Sequence, residues 1–326
     1  MEWNYFEPVF ECDAYNRDML KYAPWSGHRN LGYDLIANLE PETVVELGSF
    51  YGCSAFAMGQ AIKDKTLHTV LWAIDFWGGI DVYTEDSYKE DIYGAFKNIR
   101  DQVYDERYLK MLKMTFDEAA DRFEDQSIDI LHIDGSHLYE DVKHDYELWK
   151  SKVKTDGVIL FHDVGKDIVN GSIMGSHIFW EELKLENPRT LEFPFSCGLG
   201  IWCQSEKAFA YFNNLDVARY QEQCNLEDAK LKDELNKYSF MIRDKDYHIE
   251  SLKEQIEIKD WHLAKYQEDM QEKDAYIETL EGSSLSQQQL IKDAYEKTIA
   301  GKDAYIKELE GNLEELRNKV TMMGVE

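Results

Sequence analysis

The sequence predicts a doubly wound α/β sheet followed by a long α-helical coiled coil. Three observations carry that prediction. Between about residues 20 and 205, short continuous apolar runs alternate with longer helical stretches, the pattern of a parallel sheet covered on both faces. From residue 235 onward, aliphatic side chains recur at steps of seven, as in helices that bury a seam against a partner. Between these regions the composition changes: all five prolines lie before residue 195 and seven of the eight tryptophans before residue 203. The boundary is expected between residues 215 and 216, giving domains 1–215 and 216–326.

In chain order, the β-rich runs are Thr43–Leu47, Val70–Ile74, Tyr108–Met111, Ile128–Ile133, Gly157–Phe161 and Leu199–Cys203. Helical stretches Ser54–Ile62, Tyr88–Arg100, Phe116–Phe123 and Tyr139–Lys150 lie between them. Residues 191–198 read as the lead into an edge strand and carry no evident chemistry. In the tail, Leu235, Ile242, Ile249, Ile256, Leu263, Met270 and Ile277 hold one heptad position. Tyr238, Lys245, Leu252, Lys259, Tyr266, Lys273 and Leu280 hold the position three residues on. Lysines at alternate seam positions cost stability and help to set register. Gly282-Ser283-Ser284 interrupts the stripe, which resumes at Ile306, Leu309, Leu313, Leu316 and Val320. Lys302-Asp303-Ala304-Tyr305 repeats Lys273-Asp274-Ala275-Tyr276 after 29 residues, four heptads and one skip residue. A parallel coiled coil of two or three copies is expected, with a rod of roughly 130 Å if unbroken.

Composition narrows the class. The 326 residues are 44% apolar and 13% aromatic, too rich in core-forming side chains for a disordered chain. No apolar run approaches the ~18–20 residues of a spanning helix, and Met1-Glu2-Trp3-Asn4-Tyr5 opens no signal peptide. Five scattered cysteines without metal-ligand spacing fit a reducing, cytoplasmic setting. The net charge of −28 argues against a nucleic-acid partner. It belongs to both regions: residues 216–326 hold 16 Lys+Arg against 26 Asp+Glu, a net of −10, and the first 215 residues hold −18.

Ligands of doubly wound sheets bind beyond the carboxyl ends of the strands. The first run ends in Glu46-Leu47-Gly48-Ser49-Phe50-Tyr51-Gly52 before a helix start, a glycine turn that admits a ligand and leaves helix N–H groups for an anion. It is neither a P-loop nor Gly-x-Gly-x-x-Gly. The second run ends in Asp75, an acid placed to accept from a ribose diol. Together these features suit an adenosine ligand. The fourth run leads into Asp134-Gly135-Ser136-His137 and the fifth into His162-Asp163. Paired aspartates with nearby histidines suit either a divalent cation or proton transfer by His137 or His162. His132, inside its strand, is expected to face the core. Trp25, Phe76, Trp77 and Tyr139 fit an acceptor wall or the core equally.

In these stretches, together with Pro24-Trp25-Ser26-Gly27-His28 and Met114-Thr115-Phe116-Asp117-Glu118-Ala119, the chain resembles the class I S-adenosylmethionine-dependent methyltransferases over about residues 22–205. It is similar in particular to bacterial members associated with surface-polysaccharide synthesis. The resemblance implies a Rossmann-like methyltransferase domain and S-adenosylmethionine as cofactor. Glu46, Gly48 and Gly52 would hold its methionine end and Asp75 its ribose, Thr115 and Phe116 would lie near its adenine, and Ser49, Phe76 and Asp134 would also be cofactor-binding residues. Asp134 and Asp163 match the ligand positions of metal-dependent O-methyltransferases, implying Mg²⁺ or another divalent cation. Those enzymes usually carry Asn or Asp after the second aspartate, whereas this chain has Val164, so a third ligand would come from His137, His162 or water.

The implied reaction is O-methylation of a sugar hydroxyl on an O-antigen-like surface glycan or its precursor, with His137, His162 and Asp134 as the catalytic set. Expected partners are a glycan acceptor, further copies of the chain and glycosyltransferases of the same pathway, in the cytoplasm or peripheral at the inner membrane. Two alternatives stay open at this point: a coiled-coil chain-length or scaffold module in which methyl transfer is secondary, and a small-molecule tailoring methyltransferase.

Overall fold

A computed structural model describes residues 2–16, 23–78, 91–166, 168–169, 172–281 and 285–323. The chain divides into two compact units, Met1–Ala229 and Lys230–Glu326.

The first unit is built on a seven-stranded sheet: β1 (Thr43–Leu47), β2 (Val70–Asp75), β3 (Leu109–Lys113), β4 (Ile128–Ile133), β5 (Val153–His162), β8 (Thr190–Phe193) and β9 (Leu199–Cys203). Its order is β3-β2-β1-β4-β5-β9-β8. The first five strands are mutually parallel, while β9 pairs antiparallel with both β5 and β8. The pair β6 (Ile168–Val169) and β7 (Ser172–Ile173) forms a separate small ribbon.

The continuous apolar runs are explained by burial on both faces. Val44, Leu71, Ala73, Ile130 and Leu160 enter one core, whereas Val45, Leu47, Ile74, Leu131 and Phe161 enter the other. The first core takes residues of α1 (Arg29–Leu39), α2 (Cys53–Lys65) and α3 (Ile92–Val103). The second takes residues of α4 (Phe116–Ala120), α5 (Tyr139–Trp149) and α6 (Gly175–Glu186). Strand order reverses between β1 and β4, so their outgoing loops diverge and leave a crevice at the strand ends.

Several element bounds differ from the sequence expectation. The helix expected from Tyr88 starts at Ile92, where the Asp91 side chain accepts from Gly94 N–H as an N-cap; residues 88–90 lie outside the described residues. The helix expected over 116–123 ends at Ala120. The strand expected from Gly157 already begins at Val153 and runs through His162, which fixes that histidine as a strand residue.

The second unit corrects the expected parallel rod. After the short α7 (Glu206–Phe209) of the first unit come α8 (Val217–Glu281), most of which lies in the second unit, and α9 (Leu285–Met322). Lys302 pairs with Asp269 at 3.0 Å and Arg317 with Asp260 at 3.3 Å. Tyr305 packs on Tyr266 and Tyr295 on Tyr276, with centroids 5.2 and 5.5 Å apart. Partner numbers fall along one helix as they rise along the other, so the two run antiparallel. The seam is the heptad stripe itself, with Ile249, Leu252, Leu309 and Leu313 buried. A seven-residue repeat requires a partner helix but does not say whose; here the chain supplies it. The expected break at Gly282-Ser283-Ser284 lies outside the described residues, as does the side chain of Leu235. Among the described residues no helix is long and apolar enough to cross a membrane.

Candidate active site

The loop between β1 and α2 is fixed from three sides. Gly48 has φ +92°, and a Cβ at this position would collide with the Asp134 carbonyl oxygen. The two strand ends are joined there, with Asp134 N–H donating to the Leu47 carbonyl at 2.8 Å. From β2, the Asp75 carboxylate accepts Ser49 N–H at 3.0 Å and Phe50 N–H at 2.8 Å on Oδ2, and Trp77 N–H at 2.6 Å on Oδ1. Burial pushes the Asp75 pKa up, and these three N–H donors pull against that rise.

Beneath the loop, Glu46 is fully buried and accepts the Ser49 hydroxyl at 2.6 Å. Its other oxygen lies 3.1 Å from His132 Nδ1, and Trp25 Nε1–H donates to His132 Nε2 at 3.2 Å. Trp25 thereby makes Nε2 the acceptor and leaves the His132 proton on Nδ1, donated to Glu46. His132 faces the core, as expected of a residue inside its strand. Trp25 and Trp77 are buried too, whereas Phe76 is 54% exposed at the crevice. Tyr139 is half-buried, with its hydroxyl donating to Glu182 at 2.7 Å. Thr115 caps α4 through a capping box with Glu118, and the Phe116 ring lies against Gly135.

The second cluster follows β4 and β5. His162 Nδ1 lies 3.2 Å from Asp134 Oδ1 and 3.0 Å from Asp163 Oδ2. His137 Nε2 reaches the same Asp163 oxygen at 2.8 Å. Burial opposes charge on His162, but the Asp134 and Asp163 carboxylates outweigh it and hold the pKa well above the usual imidazole range. Burial likewise opposes charge on Asp163, and His162 and His137 overcome it, so that its pKa is lowered. Val164, after the second aspartate, is fully buried in the core and offers no donor. Asp134, His162 and Asp163 each present one ligand atom, all within 4.8 Å of one another. This one-nitrogen, two-oxygen set fits a divalent cation.

Sequence reasoning missed Ser196. Residues 191–198, expected to carry no chemistry, contain most of β8 and a loop whose Ser196 carbonyl meets His162. The Ser196 carbonyl lies 3.1 Å from His162 Nε2 and 3.1 Å from His28 Nε2. Ser196, Cys197 and Gly198 have φ of 51°, 63° and 86°. The Ser196 hydroxyl accepts Gly27 N–H at 3.1 Å and donates to the Pro24 carbonyl. Only Gly198 could have signalled such a backbone; serine and cysteine give no sign of it.

The fold and these strand-end clusters define a doubly wound α/β domain with a candidate ligand crevice beyond its strand ends. Residues 45–164, the segment that builds both clusters, match the family described as "Methyltransferase domain". An uncharacterized protein y4gI of Sinorhizobium fredii is 38% identical over 180 residues, 55% of this chain and 19% of that protein. An uncharacterized protein R132 of Acanthamoeba polyphaga mimivirus is 31% identical over 122 residues, 37% of this chain and 51% of that protein. The chain thus spans about a fifth and about half of these two relatives. Among solved structures, the O-methyltransferase TomG of Streptomyces achromogenes in complex with SAM is similar at 13% identity and TM-score 0.41, over 60% of this chain and 90% of its own. The SAH-bound methyltransferase PaMTH1 of Podospora anserina gives 16% identity and TM-score 0.40, over 55% and 78%.

Proposed function

We propose that the chain is an S-adenosylmethionine-dependent O-methyltransferase acting on a sugar hydroxyl of a bacterial surface polysaccharide or its precursor. The observation that carries the chemistry is the His137–Asp163 contact of 2.8 Å at the mouth of the crevice, beside Asp134. S-adenosylmethionine supplies a methyl group on a sulfonium, an electrophile that needs little activation. What remains for the protein is to align the acceptor oxygen and remove its proton. Asp163 orients the His137 ring by accepting from Nε2, and that ring is the group that takes the hydroxyl proton. Gly48, Ser49 and Gly52 line the turn that receives the cofactor, Asp75 sets that turn and can accept from a ribose hydroxyl, and Phe76, Thr115 and Phe116 flank the adenine side. Asp134, His162 and Asp163 are the residues that would hold a divalent cation, whose charge would favour the ionised acceptor. Neutral glycans suit a head this acidic better than anionic polymers do.

Self-association belongs to the same reading. Tyr238 and Ile242 continue the α8 seam but stay 53% and 58% exposed, and a second copy of the chain would cover them. The test is incubation of purified chain with methyl-labelled cofactor and candidate glycans. Label transferred to a sugar oxygen is the expected result, and absence of cofactor binding by calorimetry overturns the reading.

A further inference from the structure

We infer that His162, held in place by the Ser196 carbonyl, completes the ligand set with Asp134 and Asp163, and that the cation this site selects is a first-row transition ion such as Mn²⁺ in preference to Mg²⁺. The inference rests on the methyltransferase reading of the crevice and adds the device that orients His162 and the class of ion.

The position that follows Asp163 in the chain holds Val164, packed in the core and without a donor atom. His162 takes over from the other side. Strand β5 carries it to the junction of the two aspartates, where its Nδ1 lies within 3.2 Å of a carboxylate oxygen of each. The other ring nitrogen, Nε2, meets the Ser196 carbonyl at 3.1 Å, and the ring packs edge-on against His28 with centroids 5.6 Å apart. A metal-ligating imidazole shows this division of labour, in which one nitrogen donates its N–H to a backbone carbonyl and the other turns its lone pair to the ion.

The carbonyl is itself immobilised. Three consecutive left-handed residues, two of them not glycine, persist only where the surroundings over-determine them. The Ser196 hydroxyl binds the Pro24–Gly27 turn, Gly165 N–H donates to Cys197 O at 2.8 Å, and Gly198 N–H donates to Phe195 O at 2.9 Å. The ligand atoms that converge within 4.8 Å of one another are those of Asp134, His162 and Asp163, while His137 Nε2 meets the Asp163 carboxylate at 2.8 Å and buttresses that ligand. Mg²⁺ favours all-oxygen surroundings and retains its waters, whereas imidazole raises affinity for Mn²⁺ and later ions of the row.

The test is Mn²⁺ bound to the full chain, read by electron paramagnetic resonance and by ¹⁴N modulation of the electron spin echo. One bound Mn²⁺ with imidazole ¹⁴N modulation is expected, converted to a ¹⁵N pattern by ¹⁵N-histidine labelling of the unmutated protein. Displacement should need at least about tenfold more Mg²⁺ than Mn²⁺. His162→Gln should abolish the modulation and weaken Mn²⁺ binding at least about tenfold, while His137→Gln retains the modulation. Bound Mn²⁺ without nitrogen coupling overturns the inference, as does coupling lost only in His137→Gln, or equal competition by Mg²⁺. Cofactor binding measured by calorimetry in chelator separates the two readings. Cofactor bound by a chain with no Mn²⁺ site overturns the ion alone, and a chain that binds neither overturns the methyltransferase reading with it.

Discussion

Asp75 stands where an acid accepting a ribose diol is expected, yet its own backbone neighbours already engage it, and replacing it with asparagine separates the two roles. The carboxylate accepts two N–H groups on Oδ2 and one on Oδ1. An amide has one acceptor oxygen. In its better orientation it keeps Ser49 and Phe50 and turns its NH₂ against Trp77 N–H; in the other it loses both loop contacts. The better case removes one hydrogen bond to a charged acceptor and leaves a partly buried N–H without a partner, about 1.5–3 kcal/mol. With m of about 2–3 kcal/mol/M in urea, the midpoint should fall by about 0.5–1.5 M in cofactor-free protein. Tryptophan fluorescence follows the transition well, since seven of the eight tryptophans precede residue 203. A midpoint unchanged from the parent, with only cofactor affinity reduced, would refute the loop clamp and leave a purely ribose-binding acid.

The remaining predictions touch other parts of the molecule. His137→Gln should lower the methyl-transfer rate about 10²–10⁴-fold while leaving cofactor affinity, measured by calorimetry, within a few-fold of the parent. Ser196→Ala, which removes the hydroxyl bonds to Pro24 and Gly27, should loosen the loop and weaken Mn²⁺ binding about tenfold with the ¹⁴N modulation retained. Burial pushes the Asp145 carboxyl up to about 7. Its folded pKa lies above the unfolded one, so its proton stabilises the native state at low pH and stability declines as pH rises from about 4 to about 7. Asp145→Asn should therefore match the parent near pH 4 and exceed it at pH 8 in urea melts, by about 1.4 kcal/mol per unit of displacement. Leu313→Ala, at a seam position only 2% exposed, should cost about 2–5 kcal/mol in the helical unit, read as earlier loss of far-UV circular dichroism on heating.

What the sequence made legible was whatever a residue type must announce. Val44 and Val45 point into opposite cores, and a run apolar at both parities can only be a strand covered on two sides. Gly48 announces the tight approach to Asp134 because no other residue fits there without strain. Asp134 and Asp163 were visible as acids at strand ends. The Glu46–His132 pair was half visible: each residue could be placed on its strand, but their contact depends on the register that sets Glu46 beside His132 across β1 and β4. The helical region shows the same limit. Its heptads specify a seam, but a seven-residue repeat does not say whether another copy or the same chain supplies the facing helix.

The loop over residues 195–198 is a different case, because its role rests on a group that every residue possesses. A backbone carbonyl has no letter in the sequence, and Ser196 would read the same in any surface turn. What distinguishes it is the conjunction of the Pro24–His28 turn, the end of β5 and the approach to β9, three segments more than a hundred residues apart at their extremes. The consequence for the chemistry is specific. If His162 depends on that carbonyl for its tautomer, substitutions at Gly27 or Gly198, which touch neither aspartate, should disturb the site through ring orientation: a Cβ at Gly27 would press on the Ser196 side chain, and one at Gly198 on the backbone of Gly165. A loss of ¹⁴N coupling in Gly198→Ala, with Asp134, His162 and Asp163 all intact, would place the control of this centre in the backbone of a loop whose side chains make none of its chemistry.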